Sequence, residues 1–293
     1  MSLRISVPAT TANLGPGFDC LGLALSLRNH VEVSRAGRTQ VVVEGEGAGI
    51  LPQGDENLVL RAMRHLATYA GRSLPPVRLV QHNDIPVGSG LGSSASAVIA
   101  GLLAGGALLD IELPPPLVLA LAAELEGHAD NAAAALYGGL VLVAGEDVVQ
   151  LNVAPLRAVV VLPAVTLSTQ AARAALPQRV PLADAVFNLG RMGLLLQALA
   201  SGDVPALSRA MADRLHQPYR TPLIPGLDAA LAAASAAGAA ACLSGAGPSL
   251  IAFATSGHEE LAAEMMAAFA HDGVASRNWT VRSDHQGAEL TTA

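Results

Sequence analysis

This sequence predicts an α+β fold in two halves, each a layer of helices on a sheet, and three observations support it. Short extended runs alternate with helical periodicity along the chain. The 293 residues, 52% of them hydrophobic, are large for one core and comfortable for two. The pattern also divides near Pro155, giving expected domains of residues 1–155 and 156–293.

In the first half the extended runs are 4–7, 30–34, 40–44, 77–81, 140–143 and 148–153, each carrying Val or Ile. Helical spacing of apolar residues covers 58–70, 93–109 and 117–126. Asn57 can cap the first of these, the LPPP run at 113–116 punctuates the chain before the third, and Gly127 ends it. The second half opens with a strand at 158–162, followed by helices at 171–176, 183–200, 206–214 and 227–237. Strands at 240–243 and 250–254, a helix at 259–271 and a last strand at 276–282 complete it. The alanine-rich stretch 229–241 is a good helix former, and no internal repeat is visible.

Composition excludes several classes of function. Aromatic residues make up only 3%, so the interior must be packed from Ala, Leu and Val, with helices crossing closely through small residues. The longest apolar run, 98–109, is too short to span a bilayer, and MSLRISVPAT lacks the apolar stretch of a signal peptide. Two cysteines, Cys20 and Cys242, make no disulfide framework, so a reduced, cytoplasmic setting is expected. A net charge of −7 argues against nucleic acid or an acidic membrane as partner. An anionic substrate must therefore be met by local groups: loop amides, a metal ion and a few arginines.

The most informative stretch is PVGSGLGSSAS, residues 86–96, between an extended run and a long apolar helix. Gly88, Gly90 and Gly92 permit positive φ and close backbone approach, and the helix N-terminus beyond them attracts an anion. Pro86, Val87, Gly88, Ser89, Gly90, Leu91, Gly92, Ser93, Ser94, Ala95 and Ser96 are thus the expected phosphate-binding segment. A Walker loop is excluded, because it needs a lysine and all seventeen basic side chains are Arg. The dinucleotide fingerprint fails too, since serines stand where its last glycine would be.

This loop resembles that of the GHMP kinases, a family named for galactose, homoserine, mevalonate and phosphomevalonate. The resemblance extends to VPATTANLGPGFDCLGLAL at 7–25 and GHADNAAAALYGGLVL at 127–142, both of which look like the homoserine kinases of that family in particular, and to LSGAGPSLIAF at 243–253. It implies a ribosomal-S5-like N-terminal domain that binds ATP and a ferredoxin-like C-terminal domain. It also implies phosphorylation of L-homoserine with ATP and Mg²⁺, and often a homodimer.

Phosphoryl transfer needs positioning and charge neutralisation more than covalent chemistry. The family pattern makes Ser94 and Glu124 the magnesium contacts, with Glu126 as the nearby competitor. Asn13, Asp19, His128 and Asn131 resemble homoserine-contacting residues, and Asp19 suits an ammonium group. Arg173 and Arg220 match positions that hold the substrate carboxylate, which a planar guanidinium grips in bidentate fashion. Thr169 is expected near the transfer site, Asn57 on the adenine side, and Gly245, Gly247 and Ser249 in a loop beneath the phosphate loop. Some relatives in the superfamily use an aspartate to accept the alcohol proton, and Asp130 is the only carboxylate in HADN, but the resemblance to homoserine kinases implies no such base, and Asn131 can only orient the hydroxyl. The competing readings are a sister kinase for another small alcohol, such as mevalonate, and a nucleotide-binding sensor without turnover.

Overall fold

The computed structural model describes residues 2–292 and contains two sheets with helices between and outside them. The first half comprises strands β1 (Ser2–Asn13), β2 (Gly17–Arg35) and β3 (Gln40–Gly45), helix α1 (Leu58–Tyr69), strand β4 (Val77–Asn83) and helices α2 (Ser93–Leu109), α3 (Pro115–Glu126) and α4 (Asp130–Tyr137). Strands β5 (Leu140–Ala144) and β6 (Asp147–Leu151) follow. The second half holds strand β7 (Arg157–Pro163) and helices α5 (Thr169–Ala174), α6 (Leu182–Ser201), α7 (Val204–Ala210), α8 (Gln217–Arg220) and α9 (Leu227–Ala236). Strands β8 (Ala240–Leu243) and β9 (Leu250–Phe253), helix α10 (His258–His271), and strands β10 (Ser276–Arg282) and β11 (Glu289–Thr292) end the chain.

Seven strands form the first sheet, in the order β11-β1-β2-β4-β3, with β5 also on β2 and β6 on β5. The second sheet runs β10-β7-β9-β8, all antiparallel. Strand β2 is long because it serves two neighbours: its first half pairs with β5 and its second with β4. Only the end of it was foreseen as a strand, at 30–34. The run 7–25 is buried with little alternation, so it shows no period of two from which a strand could be read. Strand β11 was not expected, because its ELTT sequence is exposed throughout and carries no buried face.

Three apolar cores stack through the molecule. The first lies between the first sheet and α1–α4. The second fills the space between the two sheets and takes in α6 and α7, and the third lies under α9 and α10. Strand β7 is buried on both faces: Ala158 and Val160 enter the second core, Val159 and Val161 the third. That is why AVVV reads as an unbroken apolar run. Small residues do bring helices close. A Cβ added at Gly101 of α2 would stand 2.4 Å from the Val59 carbonyl oxygen of α1.

The phosphate-loop helix begins at Ser93 as expected, because Gly92 takes φ 69° and breaks the extended path before it. Buried Asn29 of β2 anchors the loop's entry. Its Oδ1 accepts from the Asp84 and Ile85 N–H groups at 2.9 Å, and its Nδ2 donates to the Ser96 hydroxyl at 3.0 Å.

Candidate active site

Each half contributes one wall of a cavity of about 190 Å³. From the first half come Asn13, Asp19, the glycines of the phosphate loop, Ser93, Ser94, Glu126, His128, Asp130 and Asn131; from the second come Ser168, Thr169, Arg173, Arg220 and the 245–247 turn. Beyond Gly88, Ser93 and Ser94, which border both, lies a second cavity of about 220 Å³ containing Leu51, Pro52, Asn57, Leu58, Val87 and Ala97. Two adjoining cavities separated by a glycine-rich loop suit a nucleotide on one side and a small acceptor on the other.

The loop is held from behind. Gly88, Gly90 and Gly92 all have positive φ. At Gly92 a Cβ would also fall 1.9 Å from the Thr10 hydroxyl, so no larger residue fits there without displacing the Thr10 side chain or β1. Pro86, Ser89, Leu91, Ala95 and Ser96 have buried side chains that brace the loop, whereas Val87 and Ser94 are exposed. Ser89 donates to the Pro86 carbonyl at 2.7 Å, and Ser96 to the Ser93 carbonyl at 2.9 Å. The third motif does pack beneath the loop. The Ser249 N–H donates to the Ser89 carbonyl at 3.1 Å, and the Ser244 hydroxyl donates to the Gly90 carbonyl at 2.8 Å.

The two candidate glutamates are separated. Ser94 Oγ donates to Glu126 Oε1 at 2.6 Å beside the phosphate loop. Glu124, expected with Ser94 as a magnesium contact, instead meets His65 Nε2 at 2.8 Å and takes no part in the cavity, and its competitor Glu126 is the glutamate beside Ser94. Residues two apart on a helix do not share a face, which is the physical reason. Asn57 caps α1, accepting from the Val59 and Leu60 N–H groups, while its Nδ2 donates to Gln81 Oε1 and the Pro52 carbonyl. It therefore forms a wall of the second cavity with its amide already committed.

On the acceptor side, the turn from β1 to β2 carries backbone strain. Asn13, Leu14 and Asp19 have φ of 71°, 48° and 56°, a region L-residues seldom occupy. Asn13 offsets it by donating from Nδ2 to the Gly245 carbonyl at 2.8 Å and accepting from the Asp19 N–H at 3.0 Å. The result turns the Asp19 carboxylate to Arg173 of α5, where two parallel hydrogen bonds of 2.9 Å form. That bidentate contact raises the Arg173 pKa further above its ordinary value.

The HADN segment opens α4. Asp130, itself buried, accepts at Oδ1 from the Asn131 N–H at 2.7 Å, Asn131 Nδ2 at 3.2 Å and His128 Nδ1 at 3.0 Å. This hydrogen bond raises the His128 pKa, against an opposing effect of burial. Asn131 Oδ1 is taken by the Thr10 hydroxyl at 2.8 Å and one Nδ2 hydrogen by Asp130, which leaves the second Nδ2 hydrogen as the donor free to act on a ligand. Thr10 went unremarked in the sequence, although it lies in the 7–25 motif.

Arg220 is 2% exposed, one of the largest fully buried side chains, yet it lines the cavity. Its NH1 donates to the Gly245 carbonyl at 3.1 Å and meets His216 Nδ1 at 3.2 Å, and its guanidinium stands 5.2 Å from the Phe18 ring centre. Burial, reinforced by Arg173, lowers its pKa, but a guanidinium stays charged. Asp19 is engaged with Arg173 and Asp213 lies beside His216, so among the described residues no carboxylate pairs with Arg220. Thr169 begins α5 at the rim, after Ser168, whose hydroxyl caps that helix.

A family model of the GHMP kinase N-terminal domain matches residues 57–139, and one of the C-terminal domain matches 195–272. A homoserine kinase of Moorella thermoacetica is 47% identical over 276 residues, spanning 92% of this chain and 93% of that protein. One of Gloeobacter violaceus is 47% identical over 85% of this chain and 86% of its own length. The crystal structure of homoserine kinase from Cytophaga hutchinsonii superposes with a TM-score of 0.87 at 32% identity, covering 99% of this chain and 97% of that one.

Proposed function

The chain belongs to the GHMP kinases, and on that premise we propose that it transfers a phosphoryl group from ATP to the side-chain hydroxyl of L-homoserine. The product, O-phospho-L-homoserine, feeds threonine biosynthesis. The observation that carries the choice of acceptor is Arg220, a buried guanidinium on the cavity wall with no carboxylate partner among the described residues. Such a cation is costly unless an anion meets it. The α-carboxylate of homoserine supplies that anion, with Arg173 alongside, and its ammonium answers Asp19. A sugar brings neither charge, and mevalonate brings a carboxylate without an ammonium.

In this reading residues 1–155 hold ATP, with the base in the apolar second cavity beside Asn57 and the phosphates across the loop at the N-terminus of α2. Residues 156–293 supply Thr169, Arg173 and Arg220 to the acceptor. Ser94 and Glu126 fit a magnesium ion, because they present two hard oxygens 2.6 Å apart next to the loop. No group of three or more His, Cys, Asp or Glu that could hold a metal exists among the described residues, so the phosphates and water would supply the remaining ligands. When bound, Mg²⁺ neutralises charge on the transferred group.

Asn131 donates to the acceptor oxygen and orients it, with its own carbonyl fixed by Thr10. It cannot take the proton. Oδ1 of Asp130 is occupied by three N–H donors, so we assign Asp130 to organising His128 and Asn131. The hydroxyl proton leaves to phosphate or water, which a loose transition state tolerates. No helix among the described residues is long and apolar enough to cross a membrane, and the two free cysteines suit the cytoplasm.

The test is ADP release from Mg-ATP by purified protein offered L-homoserine, mevalonate, galactose or no acceptor. Turnover selective for homoserine supports the reading, and preference for another alcohol replaces it. ATP binding without turnover would leave the sensor reading in its place.

A further inference from the structure

His216 is fully buried, has no surface of its own in the cavity, and yet touches two of the parts that build it. Its Nε2 lies 2.8 Å from the Gly15 carbonyl oxygen, in the strained turn that carries Asn13 and Asp19. Its Nδ1 lies 3.2 Å from Arg220 NH1. A carbonyl only accepts and a guanidinium only donates, so both contacts are satisfied by one species: the neutral imidazole with its proton on Nε2. The ring is further fixed by stacking on Phe18, centres 5.2 Å apart, and Phe18 also lies under Arg220.

The segment that carries His216 is itself pinned. Asp213 Oδ1 accepts from Asn188 Nδ2 of α6 at 2.7 Å and from the Leu215 N–H at 2.9 Å, while Oδ2 accepts from the His216 and Gln217 N–H groups. One side chain thus sets the start of α8, at whose end Arg220 stands one turn beyond His216. An arginine has five donors and a long flexible stem, so its aim is not determined by packing alone.

We propose that His216 is a positioning residue for the acceptor: as a neutral imidazole it bridges the Gly15 turn and Arg220, and holds the guanidinium in the direction that receives the substrate carboxylate. This rests on the reading of Arg220 as the carboxylate-binding group. It adds that specificity for an amino-acid alcohol depends on a side chain that never touches the substrate.

The experiment compares steady-state kinetics of the wild type, His216→Phe, His216→Asn, His216→Gln and Arg220→Gln with L-homoserine and with 3-aminopropan-1-ol, which keeps the hydroxyl and amine but lacks the carboxylate. His216→Phe keeps the ring stack and loses both polar contacts, and Asn is too short to span them. Both are expected to raise KM for homoserine about tenfold or more, the scale of a lost hydrogen bond to a charged group. The KM for ATP, kcat, and kcat/KM for 3-aminopropan-1-ol are expected to stay within about twofold, since those readouts do not involve the carboxylate. His216→Gln retains a donor and an acceptor and is expected to recover most of the loss. An unchanged homoserine KM in both Phe and Asn variants overturns the inference. So does an equal loss with the carboxylate-free alcohol or with ATP, which would mark His216 as structural only. If Phe fails to fold, Asn against Gln decides alone. Should Arg220→Gln leave the homoserine KM unchanged, the carboxylate reading itself fails; should it raise KM while the His216 variants do not, only the positioning role fails.

Discussion

Ser94 Oγ and Glu126 Oε1 meet at 2.6 Å, joining the first turn of α2 to the last residue of α3 beside the phosphate loop. Two residues earlier on α3, Glu124 points to His65 and away from the cavity. The arrangement gives the two carboxylates different duties. One is exposed and paired on the surface, where its contribution to stability is at most about 1 kcal/mol. The other is, among the described residues, the one acidic side chain hydrogen-bonded to a loop serine.

The first prediction follows from that division. Glu126→Gln is expected to lower kcat about 10²-fold or more, the scale of removing a group that stabilises developing charge. Glu124→Gln should stay within about threefold of the wild type. The check is turnover at saturating homoserine across a magnesium titration. Equal losses in both variants would remove the distinction.

Asp19 and Arg173 supply the second. Their two hydrogen bonds of 2.9 Å join side chains that are 37% and 38% exposed, so solvent screens most of the attraction. In the ligand-free protein each stands in for one charge of an amino acid: the carboxylate for the substrate's own carboxylate, the guanidinium for its ammonium. Asp19→Asn and Arg173→Gln should therefore cost at most about 1 kcal/mol of stability and raise KM for homoserine about tenfold or more. Arg173→Lys is not expected to rescue, because an ammonium lacks the planar fork. Urea midpoints beside KM values decide it; a large fall in stability with an unchanged KM would make the pair structural.

The phosphate loop and its helix could be read from the sequence, because glycine spacing and a sharp change of periodicity leave a local signature, whereas Arg173 and Arg220 were singled out only through the family resemblance. Glu126 was harder. Near a helix end, a one-residue difference in phase decides which of two glutamates faces inward, and the sequence holds no marker of that phase. Thr10, Asn29 and His216 were not found at all. Each acts through contacts far away in the chain, to Asn131, to the loop after β4 and to the Gly15 carbonyl, and a threonine, asparagine or histidine in a mixed stretch has many other uses. The strand β2 was mostly hidden for the opposite reason, since burial on both faces erases alternation.

Gly92 gives a third prediction. It combines φ 69° with a Cβ position only 1.9 Å from the Thr10 hydroxyl, and that hydroxyl fixes Asn131 at 2.8 Å. Gly92→Ala must displace the Thr10 side chain, shift β1 or unwind the loop, so a stability loss of about 1–3 kcal/mol is expected. The nucleotide and the acceptor should both bind more weakly. Calorimetry with a non-hydrolysable ATP analogue checks the first and KM for homoserine the second. Wild-type affinity for the analogue would show that the loop absorbs the methyl.

The last prediction concerns pH. Asp130 accepts from His128 Nδ1 at 3.0 Å, and this bond, opposed in part by burial, holds the imidazolium to a higher pH than in a free histidine. A pKa raised by folding means that the protonated pair stabilises the native state fully below the ordinary histidine value. That contribution fades as the pH climbs through the raised one. Wild-type protein should then lose this increment of stability on the alkaline side, and His128→Asn should lack the same pH-dependent step. In Asp130→Asn the hydrogen-bonded charge is gone while burial persists, so the His128 titration should move down, below that of the wild type. Proton NMR of the His128 ring carbon-bound hydrogens against pH follows the titration in both proteins. A midpoint unmoved by Asp130→Asn would mean that the carboxylate does not govern the histidine, and that its three N–H contacts serve the start of α4 alone.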